Sequence, residues 1–382
     1  MPIYKTDKKK NGLQGYRVCV NYTDSTGKYR SVERTAYGKS EAQELEARLK
    51  FELKESPAKS MTINELSAEF LNVKKYEVRE NTLNKMQRRH NYYILPFLSN
   101  YKLSKLNTPV LQNWKTYIEE LKTSSDQPLS LRTKQGAYGE LRSLLNYAVK
   151  MEYLPRNPLY AVGNFKDAYA PPPKIDFYTA DEFLKFIKAA KAAAEESEQR
   201  TGSIREWHFY IFFVIAFYMG MRKGEIYALN WNDIDSSTLH ITKSISQKLK
   251  GEDRETPPKN KSSVRDVKIP IIVQDILKEH LERCKKLSGF SMHHKICGGE
   301  RCIRDTSVEN RNKAYAEAAG LKKIRIHDFR HSHASLLANN GINIQEIARR
   351  LGHSKIEITW NTYSHLYPQE EDRAISILEK IK

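Results

Sequence analysis

The sequence predicts a multidomain chain: a small N-terminal three-stranded sheet plus one helix, an all-α helical bundle, and a mixed, mainly α domain with a small β-sheet. Three observations predict it. Apolar residues alternate with period two before residue 40, and they recur at helical spacing from 61 to 152. After residue 178 they form helices interrupted by two short extended runs. Between these regions lie stretches without periodicity, at 55–60 and 155–174, the second ending in three prolines and a lysine. A length of 382 residues suits two or three domains. The expected boundaries are 1–57, 61–154, a linker at 155–177, and 178–382.

The chain carries 64 Lys and Arg against 46 Asp and Glu, a net charge of +18. An imbalance of this size predicts a polyanionic partner. The excess is spread out: 12 basic against 8 acidic residues in 1–57, 16 against 9 in 58–160, and 36 against 29 beyond. A basic tail on a neutral enzyme would look different, so every segment is expected to touch the polyanion. Cys19, Cys284, Cys297 and Cys302 lack disulfide-framework spacing. The first residues lack the charged-then-apolar order of a signal peptide. The longest apolar run, 209–221, is shorter than the roughly 20 residues of a membrane span and reads as a buried helix. These features predict a cytosolic protein without membrane contact.

In the first region, Tyr16, Val18, Val20 and Tyr22 alternate with Arg17, Cys19 and Asn21 as in a half-buried strand. Residues 24–27 supply turn chemistry, and an extended pattern resumes over 28–34. Ser40 and Gln43 have capping-box spacing, and Leu45, Leu49 and Leu53 then share one helical face. The leucines should cover the Tyr/Val face and leave Arg17, Asn21 and Lys28 outward, either as an ordinary wet face or as one that enters a major groove.

The second region reads as helices only. Thr62 and Glu65 form a capping box, and Thr108-Pro109 pairs an N-cap with a first-turn proline. Leu111, Trp114, Ile118 and Leu121 make one core stripe; Ala137, Leu141, Leu144, Leu145 and Ala148 make another. Off those stripes lie Lys74, Lys75, Arg79, Lys85, Arg88, Arg89, Lys102, Lys105, Arg132, Lys134 and Arg142. Charge on a bundle's wet side is ordinarily a solvated face, but the excess over acids favours phosphate contact. Lys74, Lys75, Arg88, Arg89, Arg132 and Lys134 are the candidates carried forward.

The third region opens with a capping box at Thr179 and Glu182. Gly220 can end the buried helix, which sets Arg222 at a bend between helices. Strands are expected at 239–244 and 266–269, with a polar segment at 251–263 that contains Lys259. Then come His327, Arg330, His353 and Tyr363 within one stretch of helices. Arginines suit a phosphoryl transition state, because their planar fork bonds two oxygens. A leaving oxygen needs a proton donor, and a tyrosine nucleophile must lose one. Arg222 and Arg330 are available as the clamp, Lys259 as acid, His327 and His353 as proton handlers, and Tyr363 as nucleophile. Asp233, Asp235 and Asp328 are scattered, which favours covalent chemistry over two-metal hydrolysis.

The runs Gly220-Met-Arg222-x-Gly-Glu225, Pro258-Lys259-Asn-Lys-Ser-Ser, His327-Asp-Phe-Arg330-His-Ser-His-Ala, Leu351-Gly-His353-Ser and Asn361-Thr-Tyr363-Ser-His resemble the tyrosine recombinase family of the phage-integrase type. The motifs span 179–368. The helical region is similar to that family's core-binding domain. The first 57 residues resemble the arm-type DNA-binding domain of integrases from temperate phages and conjugative transposons. The resemblance implies a metal-independent DNA strand transferase without cofactor. It implies catalysis by Arg222, Lys259, His327, Arg330, His353 and Tyr363, a 3′-phosphotyrosine intermediate, and Glu225 as an accessory acid. It also implies double-stranded attachment-site DNA and a homotetramer on it as partners, with an excisionase and a DNA-bending host factor, in the bacterial cytoplasm at the nucleoid. One departure is Asn260, where the family often has threonine.

Other readings compete. His331 and His333 read as structural, since they fall off the motif positions. Residues 343–363 resemble a helix-turn-helix, so a non-catalytic regulator is the rival from another class, and a Xer-like chromosome-dimer resolvase is the rival enzyme. The regulator would leave Lys259, Arg222 and the tyrosine unexplained; the resolvase usually lacks an added N-terminal sheet. His293, His294, Cys297 and Cys302 fit no standard zinc spacing, and no metal is expected. The amphipathic run 374–381 packs on its own core or, as the family suggests, docks on a neighbouring protomer.

Overall fold

The structure is a computed structural model that describes residues 3–10, 12–23, 29–53, 61–167, 176–247, 254–256, 263–366, 375 and 378. It divides into two compact units, 1–171 and 172–382.

The first unit holds two hydrophobic cores. The smaller lies under an antiparallel sheet in the order β1 (Ile3–Lys10), β2 (Leu13–Thr23), β3 (Tyr29–Tyr37), backed by α1 (Lys39–Leu53). Val18 and Val20 on β2 and Ala36 on β3 are buried with Ala42 and Leu49 of α1, so the alternation read from sequence is the packed face. The helix starts earlier than expected. Ser40 lies inside it, Gly38 accepts from the Ala42 N–H, and Glu41 reaches back to the Tyr37 N–H at 3.0 Å. The expected turn at 24–27, and Lys28 with it, fall outside the described residues.

The larger core is helical: α2 (Ile63–Glu77), α3 (Glu80–Arg89), a π-turn at His90–Ile94, α4 (Leu95–Leu98), α5 (Thr108–Glu120) and α6 (Leu131–Lys150). Thr62 and Glu65 make the capping box reciprocally. At α5 the cap is Asn107, whose Oδ1 accepts from the Val110 N–H at 3.0 Å, and Thr108-Pro109 occupy the first turn. Leu111, Trp114, Ile118 and the five α6 residues of the second stripe are all fully buried. Burying a large apolar side chain contributes roughly 1.5–3 kcal/mol, so these stripes fix the bundle.

The second unit contains α7 (Ala180–Thr201), α8 (Arg205–Tyr218), α9 (Lys223–Ala228), β4 (Ile234–Asp235), β5 (Thr238–Ile241), β6 (Ser244–Ser246), β7 (Arg254–Thr256) and β8 (Arg265–Lys268). There follow α10 (Ile271–Lys285), α11 (Asp305–Ala318), α12 (Asp328–Asn339), α13 (Ile344–Leu351) and α14 (Ile356–Tyr363). β4, β5 and β8 form one antiparallel sheet; β6 and β7 form a hairpin. From Trp207 to Phe217, α8 is buried on every side, as its unbroken apolar run requires. Phe329 of α12 sits among Phe186 and Phe213, ring centroids 5.2 and 5.1 Å away, which pins α12 to this core beside Arg330. Of the expected tail helix only Ile375 and Leu378 are described, both exposed. Among the described residues no helix is long and apolar enough to cross a membrane.

Candidate active site

Helix α8 stops at Tyr218, and Gly220 turns the chain with φ +61°, a left-handed conformation that glycine takes without strain. A Cβ at Gly220 would also lie 2.5 Å from the His333 ring. The turn delivers Arg222 to the N-terminus of α9. There the Glu225 carboxylate accepts from the Arg222 backbone N–H at 3.0 Å and from its guanidinium at 2.8 Å.

Glu225 is buried and serves a second arginine. On β8 the period-two pattern turns Arg265 inward with Val267, and both Arg265 Nη atoms donate to Glu225, at 3.2 and 2.9 Å. These two guanidinium groups hold the Glu225 carboxyl below the usual range, Arg265 foremost, against the opposing push of burial.

Three consecutive carbonyls at the end of α13 then each accept from a different arginine. Arg265 Nε donates to Arg350 O at 2.8 Å, Arg330 Nη2 to Leu351 O at 2.6 Å, and Arg222 Nη2 to Gly352 O at 3.0 Å. A helix C-terminus leaves its last carbonyls unpaired and carries partial negative charge, so it suits guanidinium groups. Arg330 also donates to Gly220 O at 2.9 Å. It is 2% exposed, and burial first, then neighbouring Arg222, pulls it down to about 9. The guanidinium stays charged, so the site is short of negative charge. His353 follows directly, with Nδ1 2.7 Å from the buried Thr359 Oγ1 of α14 and a pKa pushed down to about 3 by burial and then by Arg330.

Tyr363 ends α14 and is 2% exposed. Burial pushes its phenol up, and Arg330 opposes that rise. Its hydroxyl meets Nδ1 of His331. His327 stands exposed at the N-terminus of α12, one turn before His331, their rings edge-on at 5.0 Å.

The structure therefore draws Arg222, Glu225, Arg330, His353 and Tyr363 to one region of the second unit, with His327 at its edge. Lys259 lies outside the described residues. Sequence reading overlooks Arg265 and takes His331 as structural; the structure sets the His331 ring against the Tyr363 hydroxyl. The signals were there: Arg265 sits two residues from Val267 on a strand, and His331 four residues from His327 on a helix. His333 is buried and structural as read, accepting from Arg350 Nε at 3.2 Å.

The basic residues of the first unit divide. Lys85, Arg88, Arg89 and Arg132 line a 560 Å³ concavity with Tyr92 and Tyr93, which Lys74, Lys75 and Lys134 do not reach. Lys74 pairs with Glu77 at 2.5 Å, and Lys134 with Glu119. Arg17 and Asn21 are exposed on β2.

Among the described residues, the group with metal-holding spacing is not the set weighed from sequence but His208, His280 and Cys284. His280 Nε2 lies 3.1 Å from Ile296 O and 3.2 Å from His208 Nδ1, so one shared proton satisfies the trio. The other nitrogen of His280 has no partner, whereas a metal-bound imidazole normally donates from it. The cluster reads as core packing.

Comparison with known proteins fits this geometry. A model of the phage integrase family matches residues 177–370, and one of the phage integrase N-terminal SAM-like domain matches 62–118. The ICEBs1 integrase of Bacillus subtilis is 27% identical over 98% of this chain and 99% of its own length. A XerC-like tyrosine recombinase of Caldanaerobacter subterraneus is 26% identical, over 99% of each. Among solved structures, the Tn1549 transposon integrase bound to transposon right end DNA superposes with TM-score 0.64 at 18% identity, covering 84% of this chain and 99% of that one. A lambda integrase tetramer on a Holliday junction gives TM-score 0.56 at 17% identity over 97% of both. The family match spans the arginine cluster, His353 and Tyr363 alike, and the chain belongs to the phage integrase family.

Proposed function

We propose that the chain is the integrase of a mobile element, a site-specific tyrosine recombinase that cuts and rejoins DNA through a 3′-phosphotyrosine. One observation carries the reading. Two arginines from different elements are held on consecutive carbonyls immediately before His353, and the next helix ends in Tyr363.

In this reading Arg222 and Arg330 clamp the non-bridging oxygens of the scissile phosphate, supplying the positive charge that the pentavalent transition state requires. Thr359 Oγ–H donates to His353 Nδ1, which leaves the neutral ring's Nε2–H for a phosphate oxygen. Tyr363 attacks phosphorus, Lys259 protonates the leaving 5′ oxygen, and His327 assists proton transfer. Glu225 steadies both Arg222 and Arg265. A 5′ hydroxyl from the partner duplex then reverses the step.

Residues 1–57 serve as an arm-type DNA-binding domain, 61–154 as the core-binding domain, 155–177 as a linker, and 178–382 as the catalytic domain. Arg88, Arg89 and Arg132 contact core-site phosphates through the tyrosine-lined concavity; Lys74, Lys75 and Lys134 contact phosphate outside it, and Arg17, Asn21 and Lys28 serve the arm site. The working form is a homotetramer on attachment-site DNA, assisted by an excisionase and a bending host factor.

The test is a nicked duplex spanning the junction sequence beside the gene, followed on a denaturing gel. Tyr363→Phe is expected to bind it normally and to form no detergent-stable adduct; a persisting adduct removes Tyr363 as nucleophile. Deleting residues 1–57 should spare cleavage of that duplex and impair full integration. Equal integration by the truncated chain would refute the arm assignment.

A further inference from the structure

We infer that His331 is the proton acceptor for the Tyr363 hydroxyl in the cleavage step, an assignment that rests on Tyr363 being the nucleophile. The phenol must lose its proton as it bonds to phosphorus, and burial makes that loss harder in this site. A base is therefore needed within hydrogen-bond reach of the oxygen. His331 Nδ1 meets that oxygen directly, across the α12–α14 interface. His327, one turn earlier, faces the His331 ring edge-on, 5.0 Å between centroids.

The surroundings keep His331 in the form that accepts. Burial comes first in lowering its affinity for protons; Arg325 and Arg330 act the same way and Asp328 opposes them. The neutral ring carries its own proton on Nε2 and offers a lone pair at Nδ1. In the step, the Tyr363 O–H bond breaks and the proton passes to Nδ1 while the phenolic oxygen bonds to phosphorus. The bond from phosphorus to the 5′ oxygen breaks, and that oxygen takes its proton from the separate general acid. In rejoining, the phenolate leaves and recovers the proton from the His331 imidazolium. The same contact keeps the hydroxyl parked away from water until DNA arrives.

The discriminating variant is His331→Asn, whose amide oxygen can sit near the place of Nδ1 and accept a hydrogen bond without being basic. In the full-length protein on the nicked duplex, His331→Asn is expected to bind as the unaltered protein does. Its adduct should form more slowly by about 10²-fold, within the range of general base catalysis. Its rate should climb with pH where the unaltered protein is flat, because hydroxide replaces the lost base. If His331→Asn and His331→Ala cleave as fast as the unaltered protein, or faster, the contact is only a latch or packing and the inference is overturned. Should both variants fail to fold, the pH profile with His331 intact decides. An acid limb that persists in both His327→Asn and His353→Asn supports the inference, and a rate that rises throughout with hydroxide refutes it. An adduct persisting in Tyr363→Phe sinks the nucleophile reading itself, whereas a normal rate in His331→Asn sinks only this step.

Discussion

The two halves of the site are held in very different ways. On the anion side, Arg222, Arg265 and Arg330 come from the N-cap of α9, from β8 and from α12, share Glu225 or carbonyls 350–352, and are locked by at least seven hydrogen bonds. On the side of the proposed nucleophile, Tyr363 ends an eight-residue helix, and its hydroxyl meets His331. The contrast separates what must be preorganised from what must move. Fixed dipoles and charges stabilise a transition state best when they need no reorganisation. A nucleophile, by contrast, must move toward phosphorus while its oxygen stays within hydrogen-bond reach of its base.

The sharpest way to break this comparison is to attack the shared carboxylate. Glu225→Gln leaves buried Arg265 without its counter-charge and should destabilise the protein by about 3–5 kcal/mol. Tyr363→Phe, which removes one contact, should cost only about 1 kcal/mol. Urea unfolding of both variants checks this; equal losses would mean the two halves are equally rigid. The ionised form of Glu225 is the favoured one when folded, so its contribution is present above the unfolded carboxyl's value and lost as pH falls through the lowered folded value.

Gly220→Ala comes next. The added methyl meets the His333 ring, and the left-handed φ strains any side chain. The expected loss is about 2–3 kcal/mol in the same unfolding experiment. An innocuous Gly220→Ala would show that the turn before Arg222 gives way easily.

His333 itself supplies a pH prediction. Burial pushes it down to about 3, so the folded state holds it neutral while the unfolded chain protonates near its ordinary value of about 6.5. Stability from this group is full above that ordinary value and is lost as pH falls toward the folded value. The loss is about 1.4 kcal/mol over the first full unit. Two other buried histidines of the same unit, His208 at about 4 and His280 at about 3, act in the same direction. Denaturation midpoints measured at neutral and mildly acid pH should fall accordingly, and a flat profile would contradict the buried neutral rings.

What could be read from sequence depended on distance along the chain. The capping boxes at Thr62 and Thr179 involve residues three apart, and both were legible. So was Arg222, because Gly220 marks the turn that presents it. Ser40 and Thr108 misled by one or two positions, since Gly38 and Asn107 compete for the same helix ends. Arg265 was invisible for a physical reason: its partners Glu225 and Arg350 are brought to it by the fold, 40 and 85 residues away. The contact of His331 with Tyr363 was not legible, because it depends on which α12 face α14 covers, and no local pattern states that. Lys259 remains an expectation from motif alone.

Thr359 tests the join between the halves, with the smallest effect. It lies on α14, fully buried, and its hydroxyl is 2.7 Å from His353 Nδ1. It thus ties the helix that ends in Tyr363 to the last residue of the arginine side. Thr359→Val keeps the shape and removes the hydrogen bond, so stability should fall by only about 1 kcal/mol. The consequence for chemistry differs. Without the hydroxyl donor, His353 can place its proton on either nitrogen, and only one tautomer presents Nε2–H to a phosphate oxygen. Adduct formation on the nicked duplex should therefore slow by more than the stability loss implies, with DNA affinity retained. Thr359→Ser, which restores the donor, should recover the rate. If valine and serine behave alike, the hydroxyl does not set the tautomer, and the two halves communicate by packing alone.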